Sequence, residues 1–203
     1  MLDSAQLIEI ALVGDKDPAW LEIMSAICIY GYADTTRESD TCYLYTTKPY
    51  LFFRRELIDY LPRNVFLIGS RWLPVNRFPI RGGYPFPVTG QKIFFLGDLD
   101  IIDISIFLWM KSKHNELELI GINDKLLELL SIPLEAPYWL DADAREISLQ
   151  EKLNISANTL NQLIGPDCAR AILSGRKIEL ESITRFRHTK LGEVLRKLKV
   201  ENA

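Results

Sequence analysis

The chain has 203 residues, 48% hydrophobic and 25% charged, the balance of a globular chain with enough apolar mass for a substantial core. Its 24 Lys and Arg against 27 Asp and Glu leave a formal charge of −3, which argues against a dedicated non-specific DNA binder and requires any nucleic-acid contact to come from a local patch. Cys28, Cys42 and Cys168 lie far apart with no Cys-x-x-Cys pair, so they read as reduced structural thiols, not as a disulfide framework or a zinc cluster.

The amino terminus carries Asp3 and Glu9 and lacks the basic start of a signal peptide. No apolar run approaches the ~18 to 20 residues of a membrane span, so the reading is cytoplasmic with no membrane partner. Residues 5–13 form an apolar run compatible with strand or helix. Pro18–Tyr30 predicts a helix, with Asp17 as N-cap and Pro18 in the first turn. The polar stretch 33–40 divides an amino-terminal appendage, residues 1–40, from the main domain, residues 41–203.

From Cys42 onward, strands alternate with helices. Strands are predicted at 42–45, 65–68, 92–96 and 117–120. Helices are predicted at 50–61, 101–113 and 124–130. This rhythm predicts an α/β fold with a mostly parallel central sheet of about four strands flanked by helices. The loop Ser70–Gln91 is long for a compact domain. It interleaves Arg71, Arg77 and Arg81 with Trp72, Phe78, Tyr84 and Phe86, a pattern that suits phosphate contact and base stacking, or simply a loop folded back on its own aromatics.

Beyond residue 140 the pattern becomes a helical tail, with short helices at 156–163, 166–173 and 189–198 and Gly175 ending the second. Arg185, Arg187, Lys190, Arg196, Lys197 and Lys199 concentrate positive charge there. They form either a phosphate-contacting patch or a solvated helix face. His114 and His188 have no metal-like partner and read as surface histidines. Asp141 and Asp143 read as surface acids or a helix cap.

The stretch Lys92-Ile-Phe-Phe-Leu-Gly-Asp-Leu-Asp100 points most directly at chemistry. An apolar strand ends in Gly97, two acids follow one residue apart, and a helix begins. Open α/β sheets place their ligands at the carboxyl ends of strands. Two carboxylates there suit a hard cation such as Mg²⁺. The plainer alternative is that Asp98 and Asp100 merely cap the following helix. No Gly-Thr follows Asp100, as it does in haloacid-dehalogenase phosphatases. Neither a Walker A loop nor Gly-x-Gly-x-x-Gly occurs.

The pattern Gly97-Asp98-Leu99-Asp100, followed by the apolar helix Ile104–Leu108, resembles the second motif of the Toprim domain. The similar branch is that of topoisomerase VI A-subunit-like proteins and the carboxyl-terminal nuclease domain of the Wadjet plasmid-defence system. A second, weaker similarity is Ala171–Ile183, which resembles a Leu/Ile-Glu-Gln-Glu-Ala-like segment with Leu180 where Gln is usual. Together the likeness spans residues 40–185.

The resemblance implies a Toprim-like fold and metal-dependent DNA cleavage in DNA processing or defence. Asp98 and Asp100 would be catalytic and would bind Mg or Mn. The chain departs from the family at the first strand, where a Glu is usual and Thr47-Lys48 stands. A lysine there would repel Mg²⁺. Either Glu179 (catalytic) or Glu181 (metal-binding) completes the site, or the domain is a catalytically inactive module that holds DNA or a partner protein. Arg71, Arg77, Arg81, Arg185, Arg187 and Lys190 would be its DNA contacts.

Overall fold

The computed structural model describes residues 4–25, 27–30, 42–53, 57–74, 92–135 and 137–197. Two amino-terminal helices, α1 (Ser4–Val13) and α2 (Pro18–Met24), precede strand β1 (Ile27–Tyr30). The first apolar run is therefore helical. Asp17 caps α2 through its carboxylate on the Trp20 N–H at 3.0 Å. The helix predicted over 18–30 stops at Met24, and 27–30 is extended instead. The run Ile-Cys-Ile-Tyr, with its β-branched and aromatic residues, pairs with the sheet, and tertiary pairing overrides helical spacing.

Next come β2 (Cys42–Thr46), α3 (Pro49–Phe53), a 3-10 turn (Ile58–Tyr60), β3 (Val65–Ser70) and β4 (Ile93–Leu96). They are followed by α4 (Ile101–Lys111), β5 (Leu117–Leu119) and α5 (Asp124–Leu130). The helix predicted over 50–61 is thus two short pieces where it is described. The sheet order is β1-β3-β2-β4-β5. β3, β2, β4 and β5 are mutually parallel, and β1 joins the edge antiparallel to β3. The α/β architecture with a mostly parallel central sheet is as expected. The segment read as an appendage packs on this body, through β1 against β3 and α1 against α4.

Both faces of the sheet are covered, which is why its strands read as continuous apolar runs. Leu44, Leu67, Phe94 and Leu96 enter one core with Leu126 of α5 and carboxyl-terminal residues such as Leu160, Ile172 and Leu191. Tyr45, Ile68, Ile93 and Phe95 enter the other, with Ile8, Leu12, Ile106 and Trp109.

The carboxyl-terminal part contains β6 (Trp139–Asp141), α6 (Ala144–Leu153), α7 (Ala157–Ile164), α8 (Pro166–Leu173), β7 (Arg176–Ile178) and α9 (Leu180–Leu195). β6 and β7 form a separate antiparallel pair. Gly175, at φ +76°, follows α8 in the left-handed region that glycine favours. Among the described residues no helix is long and apolar enough to cross a membrane.

This topology fixes where a site belongs. In chain order the parallel strands are β2, β3, β4 and β5, and β2 connects to β3 on one side while β4 lies on its other side. The strand order reverses between β2 and β4. Ligands of open α/β sheets bind outside the carboxyl ends of the strands at such a reversal. Here those ends are Thr46-Thr47-Lys48 and Gly97-Asp98.

Candidate functional site

The two acids of the turn have different partners. Asp100 is the N-cap of α4: its Oδ1 accepts the Asp103 N–H at 2.7 Å. That is the capping role, and it falls to Asp100. Asp98 does not cap. Its Oδ2 lies 2.7 Å from Lys48 Nζ, and its Oδ1 accepts the Leu180 N–H at 2.7 Å. Both Asp98 oxygens are committed inside the protein.

A third acid, Asp103, completes the cluster. It is 5% exposed and lies in the first turn of α4. Its Oδ2 accepts the Asp98 N–H at 2.6 Å and the Thr47 hydroxyl at 2.5 Å. Gly97 is required beside it, because a Cβ there would collide with the Asp103 carboxylate. Sequence reasoning passed over Asp103. Its signal was a lone acid in the otherwise apolar run Ile-Ile-Asp-Ile-Ser-Ile-Phe-Leu-Trp-Met.

The segment carrying Glu179 and Glu181 is delivered by an isolated bridge. Leu99 and Ile178 exchange both backbone hydrogen bonds, at 2.9 and 3.1 Å. The residue between the two acids is therefore stitched to β7. Of the two candidate carboxylates, Glu181 reaches the cluster. Its Oε1 lies 3.1 Å from Lys48 Nζ and also accepts the Tyr50 hydroxyl. Glu181 Oε2 is buried and has no hydrogen-bond partner among the described residues. Glu179 instead faces Lys177, at 3.9 Å, and Lys177 in turn pairs with buried Glu146 at 3.0 Å.

Electrostatics follow from this packing. Burial pushes the Asp98 carboxyl above its ordinary range, with the Lys48 ammonium and the Leu180 N–H pulling it back. Burial also raises Asp100 well above the ordinary range, helped by the charges of Asp103 and Asp98. Asp103 is raised to about 7 by burial first and by Asp98 second, against the hydrogen bond from Thr47. Burial alone would lower Lys48. Asp98 and Glu181 outweigh it and hold the ammonium above its usual value, so it stays charged. Within the cluster, Lys48 is the cation that Asp98 and Glu181 share.

That arrangement does not fit a divalent metal. An ion shared by Asp98 and Glu181 would have to take the place of the Lys48 ammonium, which already bridges those two carboxylates. Thr47, where a Glu is usual in the family resembled, supplies a hydroxyl donor to Asp103 and no ligand charge. Among the described residues no group of three or more His, Cys, Asp or Glu is placed to hold a metal.

Of the expected DNA contacts, Arg71, Arg185, Arg187 and Lys190 lie among the described residues. Arg77 and Arg81, like the polar stretch 33–40 and the aromatics Phe78, Tyr84 and Phe86, lie outside the described residues. Arg71 is exposed just after β3. On α9, Arg187 donates to the Leu130 carbonyl at 3.3 Å and Lys190 to the Ser131 hydroxyl at 3.0 Å. Both therefore serve the carboxyl end of α5, a usual place for cations. Arg185 is exposed and lies over the Phe186 ring. Burial raises the Cys42 thiol to about 11 and Cys168 further, as suits inert core thiols.

No protein-family model matches the chain, and no curated protein matches it.

Proposed function

We propose that this chain is a Toprim-like domain in which a lysine has replaced the metal, and that it acts as a non-catalytic module for holding DNA or a partner protein. The observation that carries the reading is Lys48 Nζ at 2.7 Å from Asp98 and 3.1 Å from Glu181. A fixed ammonium can balance buried carboxylates, but it has no vacant coordination position and cannot activate water as a metal does.

Two further features support the reading. The segments that carry the resemblance, Gly97–Asp100 and Ala171–Ile183, are joined by the Leu99–Ile178 bridge and by the Leu180 N–H on Asp98. The residue just after β2, Thr47, bonds to the same acidic cluster instead of contributing a carboxylate to it.

The test is nicking of supercoiled plasmid in Mg²⁺ or Mn²⁺. The expected result is no cleavage above that of an Asp98→Asn control. Metal-dependent cleavage by the wild type that disappears in Asp98→Asn would replace this reading with that of a nuclease.

A further inference from the structure

Away from the crevice, a cavity of about 270 Å³ opens between α1, α6 and the residues after β3. Its lining shares no residue with the Lys48–Asp98–Asp103 cluster. Trp72 and Leu149, each 8% exposed, contribute apolar wall. The Trp72 indole N–H is already spent on the Leu12 carbonyl at 3.2 Å.

The charged groups on this lining are unequal in sign. Lys16, Arg145 and Lys152 face a single acid, Asp15. None of the three cations forms an ion pair among the described residues. Lys16 Nζ instead sits 5.8 Å from the ring centroids of both Trp20 and Trp72, which meet edge to face at 5.2 Å. Gathering three cations at one cavity is electrostatically unfavourable unless something negative offsets it. A concave apolar wall sharpens the positive field inside. Small-molecule sites combine apolar wall with convergent polar groups, and this cavity holds both.

We propose that this cavity binds a small organic anion, a carboxylate or phosphate carried on a flat apolar body. The body would lie against Trp72 and Leu149, and the anionic group would meet Lys16, Arg145 and Lys152. The proposal does not depend on the Toprim-like reading.

The test is calorimetric titration of the full chain with 2-naphthoate, 2-naphthyl phosphate and the uncharged 2-naphthylmethanol. The expected result is saturable binding of at least one anion, about tenfold or more tighter than the alcohol, which corresponds to about 1.4 kcal/mol. The tighter of the two anions identifies the head group. Lys16→Ser/Lys152→Ser, a double change confined to the cavity rim, should weaken the anion by about tenfold and leave the alcohol unchanged. Raising salt from 50 to 500 mM should weaken the anion in the wild type, a readout that needs no variant. No saturable binding of either anion, equal affinity for the alcohol, or affinity indifferent to both salt and the double variant would overturn the proposal.

Discussion

Asp98-Leu99-Asp100 and Asp141-Ala142-Asp143 share one spacing, and in both the second acid caps a helix. Asp100 holds the Asp103 N–H at 2.7 Å, and Asp143 holds the N–H groups of Arg145 and Glu146 at 2.8 and 2.9 Å. Asp143 adds the reciprocal bond from its own N–H to Glu146, a full capping box.

The pairs differ in setting. Asp141 is exposed on β6, whereas Asp98 is buried at the carboxyl end of β4 against Lys48. Backbone hydrogen bonds hold the exposed Asp143 below the ordinary carboxyl range, while burial lifts Asp100 well above it. The comparison teaches that the spacing itself signals a helix start. What makes a cluster of the first pair is its place at the strand-order reversal and the lysine that meets it there.

The largest expected effect comes from removing that lysine. Lys48→Ala leaves Asp98 buried without its counter-charge and should cost about 3 kcal/mol at pH 7, measured by urea unfolding. Lys48→Ala/Asp98→Asn should cost clearly less than the two single changes summed, because neither strands a charge once both are gone. Additive costs would mean the pair is not coupled. At the second motif, Asp141→Asn should change stability by under about 0.5 kcal/mol, as usual for an exposed residue.

Next in size are the caps. Asp100→Ala and Asp143→Ala should each cost about 1 kcal/mol, but with opposite pH dependence. Asp143 has a depressed carboxyl, so its stabilisation is present above the unfolded value of 3.8 and fades as pH falls through the lower folded value. Asp100 has a raised carboxyl, so its contribution is complete below 3.8 and is lost as pH rises through the higher folded value. Thermal unfolding of both variants across pH 3 to 8 checks this. Parallel profiles would erase the distinction between the two motifs.

Asp103 is distinguished by its pH dependence. Its folded value of about 7 lies above 3.8, so the folded state retains a proton that the unfolded state releases. Stability from this group is therefore complete below about pH 4 and is lost as pH climbs to about 7. Asp103→Asn should flatten that part of the stability profile, and an unchanged slope would show that Asp103 does not hold the proton.

Much of the scaffold was legible in the sequence. The helices Asp124–Leu130 and Pro166–Leu173 start and end where capping and periodicity place them. The apolar runs at 42–46, 65–70 and 93–96 are strands of a parallel sheet. What was not legible depends on partners distant in the chain. β6 and β7 are three residues each and exist by pairing with one another. Helix α6 is largely polar, with Glu146 and Leu149 its buried residues, so its apolar stripe is too thin to read.

The acids at the turn were visible from their position after an apolar strand, and Thr47-Lys48 stood out only against the family that the chain resembles. That Lys48 reaches 50 residues along the chain to Asp98, and 133 to Glu181, was not. Spacing records neither which side chains a sheet reversal gathers nor which of two nearby glutamates faces the cluster.

Calorimetric titration of the wild-type chain with Mn²⁺ at pH 7 tests most directly whether Lys48 holds the place of a metal cation. The prediction is no saturable binding at the cluster, with identical traces for wild type and Asp98→Asn. Saturable Mn²⁺ binding by the wild type that is lost in Asp98→Asn would contradict it, since the metal and the lysine cannot both hold that carboxylate.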